Sequence, residues 1–417
     1  MTPTLAKYIS ENFSVATQAE LGNGFSATVW RGSAGTDYAG KLFISMRGTE
    51  SLVDWGGNFD LAVNGIPRQQ LADMVNWWLR ETGADGVSVR QIQSATSTEP
   101  GMYAAFEEAS TTAIGTGRIR AEDLVNGVEV DGHSLGGYLA SAFTYLFKAQ
   151  ANVTHTSTFN SAGFTLGSEA KLLQLQNLVG PEYGLGRFPN ASEQTNYFAV
   201  NGLNVATNDF WFGQQGQRVE ISNELDITQL GNHYMYKLTD VLALGAAMEK
   251  LDTSLTMATL NTLLKAGSNE TAGSIEGLFD SLRKALQGPG ILPTPIGDAD
   301  DALSRKDYQE SLSALQDGNA FKSLEGKLTI TLASADLRAA ARNSFAALVA
   351  LQDLSPVVIS GKDAAADALL ATNWQSSRAA DYAAWQSDKS AASRQTAKYL
   401  FDSKKLATNN AYWEIAA

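Results

Sequence analysis

The run Gly132-His133-Ser134-Leu135-Gly136 sets a serine between two glycines at the spacing G-x-S-x-G. A serine held this way can attack a carbonyl carbon if it stands on a sharp strand-to-helix turn, with its hydroxyl raised above the sheet edge. The flanks fit that requirement. Val128-Glu129-Val130 reads as a buried strand, and Leu139, Phe143, Leu146 and Phe147 lie on one side of a helix running from 135 to about 148. A side chain at 132 or 136 would crowd the serine backbone, and Gly137 permits close helix packing. The pattern without its flanks also fits an ordinary glycine-rich turn, so the strand and the helix carry the nucleophile reading.

A serine hydroxyl needs a base, and histidine is the usual one near neutral pH. The chain has three histidines. His133 lies inside the motif and reads as a packing or hydrogen-bonding group of the turn. His155, in Val153-Thr154-His155-Thr156, reads as a buried, satisfied strand histidine. His233 follows all the strands and precedes a helix. In the order serine, acid, histidine the base comes last, which selects His233. Between residues 191 and 218 the acidic side chains are Glu193 and Asp209. Asp209 falls in the loop after a strand at 197–200, where the acid belongs, and is the choice for fixing the imidazole tautomer. Asn204, nearer the strand end, could orient the ring as a neutral amide, and Asp226 is a third option. The bland alternative is that Asp209 caps a turn. A tetrahedral oxyanion needs preorganised N–H donors. Leu135, after the nucleophile, offers one, and Thr49, in Arg47-Gly48-Thr49 after an early strand, offers another.

The elements that must position these groups alternate. Residues 25–30 and 41–46 are β-rich and predict an antiparallel pair. Leu71, Met74, Val75, Trp78 and Leu79 predict a helix over 68–81, with Trp77 off its buried stripe. A second helix is predicted over 102–114, and strands over 125–131, 153–159, 197–200 and 218–221. Strands alternating with helices predict an α/β fold with a mostly parallel sheet, ending near residue 251. At 417 residues the chain is two to three times a typical domain, so an appendage is expected. Residues 252–417 read as a helical C-terminal region packed on residues 1–251. Its helical runs lie near 252–265, 301–316, 334–352, 363–371 and 376–401, with the clearest break at Gln287-Gly288-Pro289-Gly290-Ile291-Leu292-Pro293-Thr294-Pro295 and one alternating, strand-like run at 327–332. Asp298, Asp300 and Asp301 invite a calcium reading, but the glycine and terminal glutamate of an EF-hand loop are missing, so a solvated loop and helix cap are expected.

Composition removes several function classes. The net charge of −13 and the lack of a basic cluster oppose a nucleic-acid partner. The absence of cysteine excludes disulfides, zinc fingers and thiol nucleophiles. The predicted chemistry uses no metal and no organic cofactor. Residues 1–21 lack a basic segment followed by an apolar one, and no apolar run reaches the ~18–20 residues of a spanning helix. A soluble protein is expected, secreted without a cleaved N-terminal signal, with the cytoplasm as the alternative.

Taken together, Phe43-Ile44-Ser45-Met46-Arg47-Gly48-Thr49, Asp54-Trp55 and Gly132-His133-Ser134-Leu135-Gly136-Gly137, in that order, resemble the class 3 lipases, an α/β-hydrolase family that includes the fungal triacylglycerol lipases. The resemblance spans roughly residues 20–250. It implies Ser134 as nucleophile, His233 as base, Thr49 and Leu135 as oxyanion donors, and a lid after Thr49 over an acyl pocket. It also implies acylglycerol or other lipid-ester substrates and transient contact with a membrane or lipid interface. The chain departs from the family at the acid, where Asn204-Val205 stands in a place usually held by aspartate. Phospholipid sn-1 esters are the nearest alternative substrates. A non-catalytic lipase-like module of a larger secreted protein is the alternative of a different kind; Asn204 favours it, and the joint presence of Ser134, His233 and the Arg-Gly-Thr loop opposes it. The C-terminal region is similar to segments beside lipase domains in large bacterial secreted proteins, although no G-G-x-G-x-D repeat occurs here. The expectation is a piece of a longer exported chain.

Overall fold

The computed structural model describes residues 1–22, 24–48, 66–95, 105–200, 212–224, 233–267, 274–297, 302–333, 337–341, 343–353 and 355–387. The chain divides into two compact units, residues 7–198 with 204–220, and residues 1–6, 199–203 and 221–417. The boundary expected at residue 251 coincides with the end of a helix inside the latter unit.

A helix α1 (Pro3–Asn12) leads into the strands β1 (Phe13–Glu20), β2 (Ser26–Gly32) and β3 (Leu42–Arg47). These three pair antiparallel, as predicted for the latter two. The chain continues through α2 (Arg68–Thr82), β4 (Ser88–Ser94), β5 (Phe106–Ile114), β6 (Val128–His133), α3 (Leu135–Phe147) and β7 (Val153–Phe159). It then runs through β8 (Phe164–Thr165), α4 (Ser168–Val179), β9 (Gln194–Ala199), β10 (Phe212–Gly213) and β11 (Gln217–Ile221). The main sheet has the order β1-β2-β3-β6-β7-β9-β11, and β3, β6, β7 and β9 run parallel. This is the predicted α/β architecture with a largely parallel centre. Parallel neighbours need a crossover connection, commonly a helix. Here α3 joins β6 to β7, and α4 lies between β7 and β9.

Sequence alternation sets the two faces of the sheet. Ile44, Met46, Val128, Val130, Thr156 and Thr158 are buried, whereas Phe43, Ser45, Glu129, Asp131, His155 and Ser157 on the opposite face are half-buried. Helix α3 is buried along its entire length, Leu135–Phe147, more than its one apolar stripe implied. Trp78 of α2 packs edge-on against Phe143 at 4.9 Å, and its Nε1 donates to Gln150 Oε1 at 2.7 Å. Trp77, expected off the buried stripe, is buried as well, 5.9 Å from Phe25.

The helix expected over 102–114 is corrected. Of its described part, residues 105–114, Phe106–Ile114 form strand β5, paired antiparallel with β4. Thr111-Thr112 favours an extended chain through β-branching, but the deciding partner, Ser88–Ser94, is remote in sequence and invisible to a local period.

The second unit contains α5 (Met235–Leu251), α6 (Met257–Gly267), α7 (Ser274–Gln287), α8 (Lys306–Asp317) and α9 (Asn319–Leu324). After the strand β12 (Leu328–Leu332) come α10 (Leu337–Ala341), α11 (Phe345–Gln352), β13 (Val357–Gly361), α12 (Ala364–Ser377) and α13 (Ala379–Ser387). The strand-like run is real, and β13 is its antiparallel partner. The single helix expected over 334–352 is divided in its described part. Ser344 sits in an extended conformation and caps α11 by accepting from Ala347 N. At the centre of this unit Arg305 is buried between two carboxylates. Its Nε lies 2.6 Å from Asp240 Oδ2 and its Nη1 2.5 Å from Glu276 Oε1. No helix among the described residues is long and apolar enough to cross a membrane. Asp298, Asp300 and Asp301 lie outside the described residues.

Candidate active site

Strand β6 delivers the backbone to Ser134, and α3 begins at the next residue. Ser134 has φ 58° and ψ −124°, a conformation that a residue with a side chain adopts only when its surroundings enforce it. The enforcing contacts are visible. Ser134 N donates to Phe159 O at 3.0 Å, which ties the turn to the end of β7. Its carbonyl accepts from Gly137 N at 3.0 Å, Ala162 N at 3.1 Å and Tyr138 N at 3.4 Å. The side chain at this elbow is buried.

The glycines of the motif have a steric reason. A Cβ on Gly136 would stand 2.1 Å from Met46 O, and one on Gly132 would stand 2.1 Å from Gly136 O. The end of β3 therefore passes directly against the start of α3. Gly48 extends this approach, since a Cβ there would lie 2.9 Å from Ser134 Cβ and 3.2 Å from Leu135 N. Leu135 is the first residue of α3, so its N–H has no acceptor earlier in the helix. The described contacts thus bring together Ser134, the Leu135 amide and Gly48. Thr49, the second expected oxyanion donor, lies outside the described residues.

The three histidines take different places. His133 ends β6 and is half-buried. His155, in the middle of β7, is satisfied as expected, with Nε2 3.0 Å from Thr195 Oγ1, but half-buried and not buried, because it lies on the more open face of the sheet with Glu129 and Asp131. His233 is buried two residues ahead of α5, in the unit that does not contain Ser134. The three options for the acid, Asp209, Asn204 and Asp226, all lie outside the described residues.

Two features near the elbow were missed in the sequence. Asp131, three residues before Ser134, has its carboxyl pushed up to about 7 by loss of solvent and by the like charge of Glu129. The alternation of β6 could have signalled it, because Glu129 and Asp131 necessarily share a face. The second feature is the loop after β7. Asn160 there has φ 44° and is fully buried, its N–H donating to Tyr197 O at 2.9 Å. Only its place at a strand end hinted at it. No group of three or more acidic or histidine side chains able to hold a metal ion occurs among the described residues.

No protein-family model matches the chain, and a search of curated proteins returns no match.

Proposed function

We propose that the protein is a serine carboxylic-ester hydrolase of the lipase-like α/β-hydrolase type, acting on acylglycerols or other lipid esters through an acyl-enzyme. One observation carries this reading: Ser134 is held at φ 58° between a central parallel strand and a buried helix, with the main chain at Gly48 closed against it. A structural turn has no need of that strain. A nucleophile elbow does, because it lifts the hydroxyl clear of its own strand and brings it beside the first amide of the helix.

In this mechanism His233 takes the proton of Ser134 as Oγ attacks the ester carbonyl carbon. The Leu135 and Thr49 amides donate hydrogen bonds to the carbonyl oxygen as negative charge develops on it. The C–O bond to the alcohol then breaks, and His233 returns the proton to the departing oxygen. Water, deprotonated by the same histidine, attacks the acyl-serine; the bond from the acyl carbon to Ser134 Oγ breaks, His233 returns the proton to Oγ, and the acid leaves. Asp209 holds the imidazole in the required tautomer. The substrate class and the transient contact with a lipid interface rest on the resemblance to the class 3 lipases, as does the reading of an exported protein.

The test is a panel of p-nitrophenyl esters, triglycerides and phospholipids, assayed with the native chain and with Ser134→Ala. The native chain should hydrolyse at least one class, and the variant should lose on the order of 10⁶ in rate while staying folded. Variant activity within tenfold of the native value rules the assignment out. Preference for phospholipids over triglycerides would move the substrate to sn-1 phospholipid esters.

A further inference from the structure

Ser134 does not hold its own backbone in place. One of the three amides on its carbonyl, Ala162 N, comes from the loop after β7 and belongs to the peptide unit that joins Ser161 to Ala162. The oxygen of that same unit, Ser161 O, accepts from Gln214 Nε2 at 2.7 Å. A peptide unit is planar, so fixing its oxygen fixes the direction of its N–H. Resting on the hydrolase reading, we infer that Gln214 is a positioning residue for the nucleophile: it orients the 161–162 peptide whose N–H holds the Ser134 carbonyl.

The glutamine is itself held at both ends of its amide. Gln214 Oε1 accepts from Arg218 Nε at 3.2 Å, and the Arg218 guanidinium lies 4.0 Å from the centre of the Phe198 ring. With an N–H donor on one side, the amide oxygen must face Arg218 and the amide nitrogen must face Ser161. The backbone that carries Gln214 is anchored too. Gln215 O accepts from Asn196 Nδ2 and from Gln194 Nε2, the latter at 3.2 Å. Asn196 is buried and accepts in turn from Thr158 on β7. The hydrogen bonds therefore run from the body of the sheet, through residues 214–215, to the elbow. They have a clear mechanical task. A positive φ at Ser134 stores strain, and Asn160, also at positive φ, stores more. If the 161–162 peptide turns over, its oxygen faces the Ser134 carbonyl and the elbow loses a donor.

Gln214→Glu separates the two bonds of this side chain. The carboxylate keeps an acceptor for Arg218 but presents oxygen, not N–H, to Ser161 O. Gln214→Met removes both bonds at similar length and adds no charge. The full chain should be assayed with p-nitrophenyl butyrate, with active sites counted by a fluorophosphonate probe so that unfolded protein does not enter kcat. Both variants should lose at least tenfold in kcat per titrated site and label correspondingly more slowly, with KM within threefold of native. Amide hydrogen exchange over residues 159–164 should speed up, while exchange over 42–47 stays unchanged. A purely structural role would lower the melting temperature and leave kcat per titrated site untouched. If both variants stay within twofold of the native kcat, or if exchange over 159–164 does not change, the proposal is overturned while the hydrolase reading stands. A native chain that neither hydrolyses the ester nor takes the probe overturns the hydrolase reading and this proposal with it.

Discussion

At the residue scale the three histidines should separate cleanly. His155 already has a strand partner in Thr195, across the pair β7–β9, and stands in register with Glu129 on β6. That is the environment of a packing histidine. His233→Ala should match the loss seen for Ser134→Ala, whereas His155→Ala should keep kcat within a few-fold and lower stability. Thermal melts beside ester assays check both, and an inactive, folded His155→Ala would overturn the assignment of the base. For the acid, Asp209→Asn should cost about 10⁴ in kcat, the scale set when the equivalent change in a serine protease selects the wrong imidazole tautomer. Asn204→Ala and Asp226→Asn should cost far less. A crippled Asn204→Ala beside a near-native Asp209→Asn would transfer the role to the amide.

The element that matters most is β6, because it carries two carboxyl groups, Glu129 and Asp131, into the centre of a parallel sheet and ends one residue before the nucleophile. With Asp131 pushed up to about 7 by burial and by Glu129, the native state binds a proton there that the unfolded chain releases near its ordinary value of 3.8. A raised carboxyl favours the folded form while it is neutral. Stability from this group is therefore complete below about pH 4 and is lost progressively as pH rises through about 7. Asp131→Asn should flatten this part of the profile and raise the melting temperature at pH 8 more than at pH 5. Equal shifts at the two pH values would show that Asp131 is ionised throughout. Because β6 pairs with both β3 and β7, the change should also be felt in the strands that brace the elbow.

For the molecule as a whole, the pressing question is what residues 252–417 do for the rest. The unit made of residues 1–6, 199–203 and 221–417 centres on Arg305, with Asp240 and Glu276 against it and Gln309 Nε2 donating to Asp240 Oδ1 at 2.8 Å. Asp240 lies on α5, so truncation after Leu251 leaves that carboxylate without its cation and its amide. Breaking a buried pair by removing one partner typically costs about 3–5 kcal/mol. The same truncation removes Leu312, Leu315 and Tyr308, which are buried in this unit. The truncated chain should therefore be poorly soluble, and Arg305→Ala in the full chain should lower stability by a similar few kcal/mol. A truncated protein as soluble and stable as the full chain would show that α5 does not depend on the C-terminal helices.

The sequence by itself determined the features that depend on local period and local sterics. The strand–serine–helix succession at 128–147 was legible because alternating and helical patterns meet at glycines that tolerate no side chain, and β7 was legible from its β-branched run. The alternation at 327–332 likewise gave a strand, although nothing nearby revealed β13 as its partner. Tertiary structure decided everything that depends on remote neighbours. Phe106–Ile114 became a strand because Ser88–Ser94 lay beside it, and α3 became buried on every side because β3, β7 and α2 all close on it. The strain at Ser134 and the peptide that steadies it likewise depend on Phe159, Ala162 and Gln214, all far downstream in the chain. Periodicity is a property of adjacent residues, whereas hydrogen bonds between loops are chosen by a sheet order that no local pattern encodes.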